Sequence, residues 1–148
     1  MLYGRFDHIL DEKNRVAIPA PFREAAVEKK YGKGFFVTRG TEKCLFLFTP
    51  VHWEEFVSNI LKLPFSAKRR KIERTFLSPA RRLECDPQGR IVLPQELKEY
   101  AGLERDVTLT GLGNRIEVWN ATRWRPMDEE NVVELDKLAD ELLGGAGS

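Results

Sequence analysis

Two arginines, Arg15 and Arg90, each stand four residues after an aspartate, Asp11 and Asp86, in segments that share a pattern more than an identity: DEKNRVAIPAPFRE from Asp11 to Glu24 and DPQGRIVLPQELKE from Asp86 to Glu99. An arginine closing a tight turn, held by a neighbouring carboxylate or carbonyl, is a planar fork already oriented for phosphate oxygens or for the O6 and N7 edge of guanine. Asp11 and Asp86 would do the holding. Lys13 lies at the tip of the first turn where the second has neutral Gln88, so the first turn is expected to be the more electropositive. Arg23 and Lys98, a helical turn further on, are placed to reach a nucleic-acid backbone and set register. Taken singly, each Asp–Arg pair reads as a folding ion pair. The same spacing in two copies with different neighbours favours a DNA role, and the two roles can coexist.

No second chemistry competes with this one. His8 and His52 are the only histidines, and the chain has no GxSxG, no phosphate-cradling glycine loop and no His/Cys cluster at metal spacing. Glu54 and Glu55 are adjacent helix positions that point different ways and cannot share a substrate. An enzyme is therefore not expected, nor a cofactor, a metal or a small-molecule substrate. Cys44 and Cys85, without CxxC spacing, are expected to be reduced, small hydrophobes. No run approaches the roughly 18 apolar residues of a membrane span, and Met1 to Arg5 lacks the apolar segment of a signal peptide; a cytoplasmic location away from membranes is the expectation.

At 148 residues, 42% hydrophobic and 32% charged, the chain has room for one compact domain or two small ones. Its net charge of +1 hides an asymmetry. Only one of the 24 Lys and Arg lies beyond residue 125, against seven of the 23 Asp and Glu, so a basic body carries an acidic end. Such a body raises the prospect of a polyanionic partner.

The elements that must position the two turns repeat as well. At an offset of 75, Val16 to Pro19 matches Ile91 to Pro94, Phe22 matches Leu97 and Arg23 matches Lys98; at an offset of 71, Gly40 matches Gly111, Leu45 to Phe48 matches Ile116 to Trp119, and Trp53 matches Trp124. The lost residues fall near Tyr31 to Gly34, a loop by its glycines. Each copy reads as strand, Asp-x-x-x-Arg turn, strand, short helix, second hairpin, helix. The first-copy strands are Phe6 to Leu10, Val16 to Ile18, Phe35 to Arg39 and Cys44 to Thr49; those of the second hairpin in copy two are Val107 to Thr110 and Arg115 to Trp119. Gly89 suits the left-handed position of its turn, and Asn14 is the commonest non-glycine substitute for it. Helices are expected over Pro21 to Tyr31, Pro94 to Ala101, Val51 to Leu63 and Ala67 to Leu77, with Gly40 and Gly111 in the hairpin turns. Trp53 and Trp124 read as buried anchors rather than base-stacking groups. The run Lys68 to Arg74 reads equally as a solvated helix face or a phosphate-tracking surface. Asp128 to Leu143 puts Val132, Leu135, Leu138, Ala139, Leu142 and Leu143 on one stripe of an acidic helix.

The motif Asp-x-x-Gly-Arg-(aliphatic)3-Pro-x-x-(aliphatic)-(basic) resembles the SpoVT/AbrB family of bacterial DNA-binding domains, and two copies in a chain of this length resemble the MraZ family of transcriptional regulators. Asn14 replaces the family's glycine in the first turn, and Glu24 and Glu99 stand where some single-copy relatives have a second basic residue. The resemblance implies an α+β fold of two tandem swapped-hairpin β-barrel units packed as an intramolecular pseudo-dimer, with helices after each unit. It divides the chain into repeat 1 (1–53), a helical basic linker (54–78), repeat 2 (79–124) and an acidic amphipathic helix (125–148). It also implies a nucleoid-associated regulator of division and cell-wall genes, self-associated into a homo-oligomeric ring on double-stranded DNA. The expected contacts are Lys13, Arg15 and Arg90 to bases and Arg5, Arg23, Arg81, Arg82 and Lys98 to the backbone, with Asp11, Asn14, Asp86 and Gly89 shaping the turns. The reading set against it is a non-catalytic oligomeric scaffold without DNA binding.

Overall fold

The structure, a computed structural model, describes residues 1–28 and 32–144. Strand β1 (Leu2–Ile9) enters the first Asp-x-x-x-Arg turn and leaves it as β2 (Arg15–Ala17). Proline at position 19 lacks an N–H to extend the ladder and caps helix α1 (Ala20–Ala25). A minor hairpin, β3 (Val27–Glu28) and β4 (Gly32–Lys33), precedes β5 (Phe35–Arg39), β6 (Leu45–Phe48), α2 (Pro50–Leu61) and α3 (Ala67–Leu77). The second copy runs β7 (Arg81–Leu83), β8 (Arg90–Val92), α4 (Gln95–Tyr100), β9 (Asp106–Gly113), β10 (Ile116–Asn120) and α5 (Ala121–Leu142).

Beyond each Asp-x-x-x-Arg turn the strands part and find partners in the other copy. β1 pairs antiparallel with β9, from Leu2 opposite Gly113 to Ile9 opposite Asp106, and β7 pairs in the corresponding way with β5, Phe35 opposite Leu83. β2 and β8 pair with each other, Val16 opposite Ile91. β6 and β10 join the halves, giving a six-stranded antiparallel sheet in the order β1-β9-β10-β6-β5-β7 beside the β2–β8 ladder. The hairpins are swapped, as the resemblance implied.

The two-residue period of a strand decides what these ladders bury. Val16, Ile18, Ile91 and Leu93 are fully enclosed, while Val92 faces out. Phe22 of α1 and Leu97 of α4 close over them, with Leu45, Leu47, Leu109, Ile116 and Val118 from the sheet, so the shared centre is built by both copies. The other face of the sheet carries a separate aromatic cluster of Phe46, Phe48 and Trp119, against which Phe36, Trp53, Phe56, Phe76 and Trp124 pack from the strands and helices. Glu117 is buried there because its carboxylate is satisfied, accepting from Trp119 Nε1 at 2.9 Å and Arg115 Nε at 3.0 Å.

Four expectations change. Helix α1 stops at Ala25 rather than near Tyr31, because the backbone at Val27 begins the β3–β4 pairing with Lys33; residues 29–31 lie outside the described residues. Gly111 is not in a turn. It sits inside β9 opposite Gly4, where a Cβ would stand 2.6 Å from the Tyr3 backbone nitrogen, so its lack of a side chain lets β1 approach. Trp53 and Trp124 are half-buried supports on the aromatic cluster rather than fully enclosed anchors. Finally, α5 begins seven residues before Asp128, where the Asn120 side chain accepts the Thr122 N–H at 2.8 Å, and it continues through Pro126.

Candidate nucleic-acid interface

Each turn is organised by one carboxylate. Asp11 Oδ1 accepts the backbone N–H groups of Lys13 and Arg15, both at 2.9 Å, and Oδ2 accepts Arg15 Nε at 2.6 Å. Asp86 repeats the arrangement on Gln88, Arg90 and Arg90 Nε, all at 2.9 Å. A backbone bond from Asp11 N–H to Arg15 O at 3.0 Å, and from Asp86 N–H to Arg90 O at 2.8 Å, closes each loop. These donors stabilise the ionised carboxylate, and the arginine's backbone N–H, ahead of its side chain, holds both aspartates below their usual range. Asn14 takes φ 60° and Gly89 φ 79°, the left-handed geometry expected of both.

The turns also brace each other. Ile18 N–H donates to Gly89 O at 2.9 Å and Leu93 N–H to Asn14 O at 2.8 Å, extending the β2–β8 ladder into both loops. The helix cations cross over in the same sense. Arg23 of α1 donates Nε to Ile18 O at 3.0 Å and lies against Gly89 of the second copy. Lys98 of α4 donates to Asn14 Oδ1, in the first copy, at 3.0 Å. Each repeat thus supports the other's turn.

The structure therefore gathers Asp11, Lys13, Asn14, Arg15, Asp86, Gly89, Arg90, Arg23 and Lys98 on the two linked turns. Lys13 is exposed, and its ammonium has no hydrogen bond or ion pair among the described residues. Arg81 and Arg82 stand apart on β7, where Arg81 donates to the Pro79 and Ala80 carbonyls and Arg82 pairs with Glu84 at 2.8 Å. Arg5, on β1, pairs with Asp128 of α5 at 3.3 Å. One participant went unnoticed in the sequence: Gln95 accepts from Asn14 Nδ2 at 2.9 Å. Gln88, read there only as a neutral turn tip, accepts from Arg90 at 3.3 Å. The signal for Gln95 was available: its repeat counterpart is Ala20, a change that accompanies Asn14 against Gly89.

Both cysteines are free, and burial pushes their thiols above the ordinary range, Cys44 furthest. Among the described residues no group of His, Cys, Asp and Glu is arranged to hold a metal ion, and no helix is long and apolar enough to cross a membrane.

Twin Asp-braced arginine turns on hairpins exchanged between tandem repeats define an α+β protein of two interlocked units. The chain belongs to the MraZ family: the family described as "MraZ protein, putative antitoxin-like" matches residues 1–74 and 76–144. It is similar to the protein named Transcriptional regulator MraZ of Acetivibrio thermocellus, 38% identical over 96% of either chain, and to that of Syntrophomonas wolfei subsp. wolfei, 39% identical over 97% of either chain.

Proposed function

We propose that this chain is a sequence-specific DNA-binding regulator of transcription, working in the cytoplasm on the nucleoid. The observation that carries the reading is the pair of braced turns. Within each guanidinium the aspartate engages only Nε; Arg90 gives one terminal nitrogen to Gln88, while the terminal nitrogens of Arg15 have no protein acceptor among the described residues, leaving the edge that makes bidentate bonds to guanine or phosphate. Lys13, Arg15 and Arg90 are assigned to the bases, and Arg5, Arg23, Arg81, Arg82 and Lys98 to the backbone. The name carried by the relatives supports a regulatory role, and repression of division and cell-wall genes, its own included, is the form we assign to it.

Two turn arginines per chain, at about 1–3 kcal/mol each, reach only the lower part of the roughly 4–10 kcal/mol that separates specific from non-specific DNA binding. Several chains must act together, and a closed ring would set repeated turns along one rim. The matching operator is a series of short G-rich direct repeats spaced by about one helical turn, roughly 10 base pairs. Selection of bound duplexes from a random pool tests this. Enrichment of spaced G-rich repeats is the expected result; a pool that stays random, with no salt-dependent retention of any duplex, would leave a scaffold without DNA binding as the better account.

A further inference from the structure

Beside the second turn, three positions are small where their repeat counterparts are large: Ala20 answers Gln95, Cys85 answers Leu10 and Gly89 answers Asn14. Because the hairpins are exchanged, all three meet in one place, a cleft between α1 and the segment Cys85 to Gly89. In the matched half Leu10 is buried, and Asn14 bridges Lys98 and Gln95. The hollow left beside Lys98 is bordered by charged Glu12, Glu104 and Arg105. The smaller set leaves a cleft of about 500 Å³, within the roughly 300–1,000 Å³ of small-molecule sites. Its apolar walls are Ala26, Phe35 and Pro87, the first two buried. One cationic fork lines it. Arg23 gives Nε to Ile18 O at 3.0 Å, and its terminal nitrogens have no acceptor among the described residues. Glu24 and Asp86 line it too, Asp86 with its oxygens already engaged by the donors of its turn.

We infer that this cleft binds a small monocarboxylate with a compact apolar body, the carboxylate on the terminal nitrogens of Arg23 and the body on Phe35, Ala26 and Pro87. Each part of the ligand follows from a wall. A guanidinium edge free of protein acceptors takes a planar carboxylate through two parallel hydrogen bonds. The carboxylates of Glu24 and Asp86 repel a second negative charge, which sets phosphate and dicarboxylates at a disadvantage. An uncharged analogue forgoes the charge-assisted bonds to the fork. Occupancy has a consequence that rests on the DNA reading proposed above. Arg23, assigned there to phosphate, also packs against Gly89, so a ligand that claims its terminal nitrogens competes with the duplex for the same group. The second turn thereby answers to a small molecule. The first does not, since its counterpart Lys98 is held by Asn14.

Cys85, partly exposed in the same cleft, is a built-in reporter, and fully buried Cys44 is its internal control. The full-length protein would be alkylated with iodoacetamide in the presence of benzoate, phenylacetate or isovalerate, and both thiols followed by mass spectrometry. A fitting carboxylate at about ten times its Kd should slow alkylation of Cys85 roughly tenfold, since only the empty fraction reacts. Phenylacetamide and inorganic phosphate should leave the rate unchanged. Arg23→Gln, which removes the fork, and Ala20→Gln, which fills the cleft from its exposed side, should each lose the protection while still melting cooperatively. No protection by any of the three carboxylates, equal protection by phenylacetamide, or protection that persists in either variant overturns the site. On a bound duplex, the protecting carboxylate should raise the Kd of the native protein and not that of Ala20→Gln; a native affinity that does not respond overturns the competition. The alkylation contains no DNA, so a protein that binds no duplex fails the reading proposed above and not the carboxylate site.

Discussion

The guanidinium of Arg23, from the first repeat, fills the space beside Gly89 of the second: a Cβ at position 89 would lie 2.5 Å from its terminal nitrogen. At the corresponding place in the other half, Asn14 keeps its side chain and accepts from Lys98 instead. The two halves therefore solve one packing problem in two matched ways, Gly89 with Arg23 and Ala20, Asn14 with Lys98 and Gln95. Gly89→Asn should destabilise the protein by about 1–3 kcal/mol, from the left-handed backbone at φ 79° together with displacement of the Arg23 guanidinium. In an Arg23→Ala background the same change should cost less. Urea denaturation of the four proteins in the cycle measures this, and an equal cost in both backgrounds would place the obstacle elsewhere.

The turn aspartates give a pH dependence of defined sign. Their folded pKa values lie below the usual 3.8, so the stability they contribute is present above that value and is lost as the pH falls through the lower folded one. The turns should hold unchanged from neutral pH to about pH 4 and loosen below it. In an Asp11→Asn/Asp86→Asn protein the urea midpoint should fall less steeply on acidification in that lower range than in the native protein. Parallel curves would remove the aspartates from the account.

Recognition and anchoring should separate by mutation. Arg15→Ala is expected to cost roughly 1–3 kcal/mol on the preferred duplex and to flatten the preference at the base it contacts. Arg81→Ala should weaken all duplexes alike and reduce the slope of affinity against salt by about one. Fluorescence anisotropy on a matched and a scrambled duplex distinguishes them; the same loss of preference in both variants would end the division of labour.

Neither half should stand alone. Residues 1–64 contain β1 and β2, whose partners β9 and β8 lie in the second half, and β5, which would keep β6 on one side but lose β7 on the other. A fragment of residues 1–64 is expected to melt without cooperativity. A sharp monomeric transition by calorimetry would contradict the shared core.

Much of this architecture was legible because the repeat makes each signal appear twice. The left-handed position in the turn was readable from Asn14 and Gly89, and the buried aliphatics from the alternation around Val16 and Ile91. The role of Gly111 was not, since a glycine set 71 residues after Gly40 reads as a second turn until β1 is laid across it. Nor was the crossing of Arg23 and Lys98. Their spacing within each repeat is local, but the turn each one supports lies in the other repeat, and no local pattern records a partner more than 60 residues away.

The exchange of hairpins also sets a timetable for biosynthesis. β1 leaves the ribosome well ahead of the residues it pairs with, Asp106 to Gly113, which follow about a hundred positions later. At translation speeds of roughly 5–20 residues per second, that edge stays open for roughly 5–20 s. During this interval the nascent chain displays an unpaired strand whose natural complement is identical in every neighbouring copy on the same message. The topology that joins the two halves in one molecule thus also gives polysomes an opportunity to join two molecules, by trading β1 between chains before either is finished.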